Sequence, residues 1–117
     1  MEENLGTVTV SPEVILQLIR LTALATPGVA RLSSENPNGV HRLFSGKASE
    51  GILLQIEDHT VAIEVHIVAE PDTPLLPLGQ LLQGEVSHAI QDVVGMPIKE
   101  VNIHIDDIAD RQPVPVS

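Results

Sequence analysis

The stretch Gly51-Ile-Leu-Leu-Gln-Ile-Glu-Asp-His-Thr-Val-Ala-Ile-Glu-Val-His-Ile-Val-Ala69 decides the fold. Ile52, Leu54 and Ile56 recur at every second residue, and so do Val61, Ile63, Val65 and Ile67. That period belongs to a strand with one apolar face, and β-branched residues favour it. Asp58-His59-Thr60 between the two runs is short enough for a tight hairpin connection. Two adjoining strands are predicted over residues 51–57 and 61–69.

Upstream, Leu5-Gly-Thr-Val-Thr-Val10 alternates in the same way and is predicted as a strand. Ser11-Pro12-Glu13 then opens a helix. A serine can accept from an orphan backbone N–H, proline fits the first helical position, and a carboxylate suits the positive end of the helix dipole. Val14, Ile15, Leu18, Leu21, Thr22 and Ala25 keep the helical period, Leu16, Ile19 and Leu24 widen the stripe, and Thr26-Pro27-Gly28 ends the helix. Residues 30–50, with the turn cluster Asn36-Pro37-Asn38-Gly39, read as a long surface connection with short structure in it. Downstream of the hairpin, Glu70-Pro-Asp-Thr-Pro-Leu-Leu-Pro77 leads into a second helix over about 78–94. Its stripe is Leu78, Leu81, Leu82, Val86, Ala89, Ile90 and Val93, and Gly95 and Pro97 stop it. Ile98 to Ile105 is the last predicted strand, with Val101, Ile103 and Ile105 inward.

The predicted order is β-α-β-β-α-β. It gives an α/β (α+β) two-layer sandwich, a four-stranded mixed sheet with two helices on one face. Residues 5–108 make a single domain and 109–117 a C-terminal tail.

Composition narrows the function. The 117 residues hold six Lys+Arg against sixteen Asp+Glu, a net charge of −10, with no cysteine, tryptophan or tyrosine and one phenylalanine. The charge argues against nucleic acid and anionic lipid, whose binding rests on lysine and arginine. The lack of aromatics removes the stacking platforms of single-strand binders. Without cysteine there is no disulfide framework, thiolate nucleophile or Cys-ligated zinc. The acidic opening, Met1-Glu-Glu-Asn-Leu5, is unlike a signal peptide, and Val14 to Ala25 is too short and polar to span a bilayer. A cytoplasmic protein without direct membrane insertion is expected.

The face of the sheet that the helices leave uncovered would carry Thr7, Thr9, Leu53, Gln55, Glu57, Ala62, Glu64, His66, Val68, Asn102, His104 and Asp106. One reading is a solvated face. The other is a docking surface for a partner, using Leu53, Gln55, Glu64, His66, Val68 and His104. His66 and His104, with Glu64 and Asp106, are also candidate ligands for Zn²⁺ or a similar ion if their strands are neighbours. Gly46-Lys47-Ala48-Ser49 departs from a phosphate loop, because Ala48 stands where Ser/Thr is required and a strand rather than a helix follows. Ser87 and His88 are adjacent on a helix and point apart, and no Gly-x-Ser-x-Gly elbow occurs. No enzyme, catalytic residue or cofactor is expected.

Several segments, taken in order, resemble the alkaline shock protein family of bacterial envelope stress proteins. They are Gly6-Thr-Val-Thr-Val10, Ser11-Pro-Glu-Val-Ile15, Thr26-Pro-Gly-Val29, Gly51-Ile-Leu-Leu-Gln-Ile56, Thr60-Val-Ala-Ile-Glu-Val-His-Ile67, Val86-Ser-His-Ala-Ile-Gln-Asp-Val-Val-Gly95 and Ile98-Lys-Glu-Val-Asn-Ile-His-Ile105. The link Glu70 to Pro77 is richer in proline than is usual there. The resemblance implies a small non-enzymatic cytoplasmic bacterial protein of envelope homeostasis or stress. Members of this family self-associate, and some are held at the membrane by a separate membrane-anchored protein. The alternative from the residues alone is a small metal- or ligand-binding regulator using the His66/His104 face.

Overall fold

The computed structural model describes residues 5–34 and 46–110. Its elements are α1 (Pro12–Ala25), β1 (Val29–Leu32), β2 (Lys47–Ser49), β3 (Ile52–Glu57), β4 (Thr60–Ala69), α2 (Leu75–Ala89), a π-helical turn (Ile90–Val94) and β5 (Ile98–Ile108).

β4 is the axis of the sheet. Along one edge it carries β5 in parallel, from Val61↔Ile98 to Ala69↔Ile108. Its other edge is shared in tandem. β3 pairs antiparallel with the first part, from Glu57↔Thr60 to Ile52↔Val65. β1 pairs antiparallel with the last part, from Leu32↔Ile67 to Val29↔Ala69. β2 pairs with β3 outside it. The hairpin turn is Asp58-His59, with φ of 52° and 64°. Two successive positive φ values make a turn whose twist matches that of the strands.

Ser11 caps α1, its Oγ accepting from the Val14 N–H at 3.4 Å, and Pro12 stands at the helix start. The helix buries Ile15, Leu16, Ile19 and Ala23; α2 and its π turn bury Leu78, Leu82, Val86 and Ile90. Both sets join Ile52, Leu54, Val61, Ile63, Val65, Ile67 and Val101 in one aliphatic core. The helices therefore share one face of a mixed sheet, as predicted, but Val14 and Leu21 of the predicted α1 stripe are each 52% exposed, and Leu16 and Ile19 face the core in their place.

Three further sequence expectations are corrected. Residues 5–10 are not a strand: Leu5 and Val8 are 89% and 96% exposed and no ladder includes them. An alternating segment needs a neighbouring strand, and no strand among the described residues pairs with this one. The sheet has five strands, because Val29–Leu32 and Lys47–Ser49 supply two that the alternation did not mark. The second helix begins earlier, at Leu75, and Leu81 and Val93 of its predicted stripe are exposed. Of the predicted tail, residues 111–117 lie outside the described residues, as does the turn cluster at 36–39.

Candidate functional site

β4 and β5 are in register at His66↔His104. Val65, Ile67 and Val101 face the helices, so the histidines face the opposite side. Neighbouring strands lie about 4.8 Å apart. Flat rings at opposed positions then stack, with centroids 4.3 Å apart and planes 10° from parallel. Glu64, two residues before His66, reaches diagonally across the ladder. Its Oε1 accepts from His104 Nε2 at 2.9 Å.

The ladder shifts register between Ile67↔Ile105 and Val68↔Asp107, which leaves Asp106 as the inserted residue. A bulge of this kind re-aims a side chain. The Asp106 carboxylate turns back over His66, with Oδ2 3.1 Å and Oδ1 3.3 Å from Nδ1. Each imidazole thus has one nitrogen held by a carboxylate. The His66 and Asp106 side chains are 13% and 23% exposed, and those of His104 and Glu64 42% and 37%. One ligand atom from each of Glu64, His66 and His104 lies within 4.8 Å of the others.

The structure therefore brings together all four candidate metal ligands of the sequence reading. It divides the candidate docking residues. Gln55, on β3 opposite Ala62, is part-buried. Leu53 and Val68 are 5% and 3% exposed, so neither is offered to a partner, against expectation. Each sits on an inner strand: Leu53 lies between Ala48 and Glu64, and Val68 between Arg31 and Asp107. Flanks on both sides hide an aliphatic side chain even on an open face. Thr7 and Thr9 are exposed and outside the sheet. His59 is in the hairpin turn, and His88 pairs with Asp92 one helical turn on. His41 is outside the described residues.

A second feature escaped the sequence reading. Leu75, Leu76, Gly79, Gln80 and Gln83 of α2 and Ile103 and Ile105 of β5 line an open groove of about 470 Å³. Gln83 Nε2 donates to the Val101 carbonyl at 2.8 Å. Among the described residues no strand pairs with the outer edge of β5. Leu75 and Leu76, left over by the helical stripe, were the available signal.

Among the described residues, no helix is long and apolar enough to cross a membrane. The uncharacterized protein YqhY of Bacillus subtilis is 26% identical over 106 residues, covering 89% of this chain and 78% of that protein. The uncharacterized protein Spy1535 of Streptococcus pyogenes is 29% identical over 124 residues, covering 97% and 88%. Among solved structures, a triply substituted MamM CTD shares the fold with a TM-score of 0.55 at 14% identity, covering 86% of this chain and 95% of that one. A cadmium form of a singly substituted MamM CTD gives 0.50 at 13%, covering 86% and 96%. At these identities the likeness is one of fold alone. The model of the alkaline shock protein family, described as having a cell envelope-related function, matches residues 1–109, and the chain belongs to that family.

Proposed function

We propose that the chain is a non-catalytic cytoplasmic protein of envelope homeostasis and stress, working by self-association and by contact with other proteins, a membrane-anchored one among them. Membership of a family with a cell envelope-related function supports the setting. The observation that carries the mode of action is the outer edge of β5. It is an eleven-residue strand, Ile98–Ile108, with the aliphatic groove beside it. An edge strand presents unpaired N–H and C=O groups and is a template for another strand. The occupant is a second copy of the chain. A two-fold axis lets the edge pair with itself, joining two sheets into one and setting the two grooves side by side. Leu76, 74% exposed, stands at this border. The groove is lined by aliphatic and glutamine side chains, whereas the ionisable groups that converge do so on the open sheet face. That separation supports contact rather than chemistry.

Size-exclusion chromatography with light scattering tests the reading. The wild type is expected to be at least dimeric, and Leu76→Glu to shift it towards monomer with an unchanged circular dichroism spectrum. A wild type that stays monomeric at its highest soluble concentration overturns the proposal. Leu53→Glu and Val68→Glu are unsuitable probes, because a buried charge would unfold the chain before it reported on assembly.

A further inference from the structure

We infer that Glu64, His66 and His104 bind one divalent transition-metal ion of the zinc type, with Asp106 as the residue that positions His66. Four features of the geometry support this site, and it goes beyond the self-association reading. The donor set is two imidazoles and a carboxylate, which suits zinc and its neighbours better than magnesium or calcium, whose ligands are oxygen. The distances are nearly those of a bound site. With metal–ligand bonds of about 2.0–2.1 Å, two ligands of a tetrahedral ion stand roughly 3.3 Å apart. His104 Nε2 and Glu64 Oε1 are 2.9 Å apart, and all three ligand atoms fall within 4.8 Å; the ion takes the place of the proton that joins this pair, which is released or moves to His104 Nδ1.

The third feature is the support behind the ligands. Metal-bound histidines commonly give their second ring nitrogen to a carboxylate, which fixes the tautomer and the ring plane. Asp106 does this to His66: it accepts from Nδ1–H, which leaves the Nε2 lone pair for the ion. The fourth is placement. Both histidines stand on paired strands, His66 on the central one, so their spacing is set by the ladder rather than by a loop. Two imidazoles and one carboxylate leave a coordination position open to water, since His104 and Glu64 are partly exposed. The net charge of −10 favours cation approach.

The test is calorimetric titration of the untagged full chain with Zn²⁺, Mg²⁺ and Ca²⁺. The expected result is one Zn²⁺ per chain and no saturable heat from the other two. Co²⁺ is expected to produce visible d–d absorption that Zn²⁺ displaces. Asp106→Asn should weaken Zn²⁺ binding by about 10–100-fold while the Co²⁺ spectrum keeps its form, as a positioning role requires. His104→Ala and His66→Ala should weaken it further. His104→Gln, which retains the side-chain bulk, should behave as His104→Ala does, with circular dichroism showing that the variants fold. No saturable Zn²⁺ binding by the wild type overturns the inference. So does equal binding by the His66→Ala/His104→Ala double variant, which would move the ion to an exposed pair such as His88 and Asp92.

Discussion

Gly51 stands where three strands meet. Its φ is +76°, and a Cβ there would lie 2.9 Å from the His66 carbonyl oxygen, 3.0 Å from that of Ser33 and 3.1 Å from Leu32 Cβ. Two of these neighbours are backbone and cannot step aside. Gly51→Ala therefore combines a strained φ with a collision and should cost about 2–4 kcal/mol in urea denaturation. Gly84 is the control. It lies within α2 with nothing within 4 Å of its Cβ position. Gly84→Ala should gain about 0.5–1 kcal/mol, because alanine loses less backbone freedom in a helix. At this scale the site was partly legible. Alternation alone put Glu64, His66, His104 and Asp106 on one face. The stacking of the two rings was not legible, because it depends on which strands are neighbours, and alternation carries no strand order.

At the scale of elements, the β3–β4 hairpin was legible except at its turn end, where Thr60 belongs to β4 and Ile56 is 40% exposed, and the shorter strands were not. β1 is buried at Val29 and Leu32 with exposed Arg31 between them, and its pairing with β4 slips between Val29 and Arg31. A four-residue strand with an irregularity shows no alternation. β2 is exposed throughout, and its one apolar residue, Ala48, is too small and isolated to announce a strand. The predicted end of the second helix at Gly95 stands, and the π turn explains why Val93 of its predicted stripe does not face the core. Its wider winding closes with the Gly95 N–H donating to the Ile90 carbonyl at 2.8 Å. Val94 then packs on the core and Val93, 70% exposed, turns out. The hairpin also yields a prediction. Asp58 and His59 both hold positive φ, a conformation that Asn-Gly adopts with less strain. The double substitution Asp58→Asn/His59→Gly should raise stability by about 0.5–1.5 kcal/mol, read as a higher urea midpoint at unchanged m-value.

At the scale of the whole molecule, charge opposes the proposed assembly. Each copy carries −10, so two copies repel at low ionic strength. The Debye length falls from roughly 30 Å at 0.01 M salt to about 10 Å at 0.1 M. Self-association should therefore tighten as salt is raised over that range, measured by sedimentation equilibrium. An interface held by ion pairs would weaken instead, which separates the apolar groove and strand edge from a charged contact.

The divided edge of β4 has a last consequence. The His66 N–H donates to the Gly51 carbonyl at 2.7 Å, and the His66 carbonyl accepts from the Ser33 N–H at 2.8 Å. β1 and β3, far apart in the chain, are spliced at that single residue. Along this side the layer acts as one unbroken ribbon, and the backbone that carries the His66 imidazole is anchored from both of its ends.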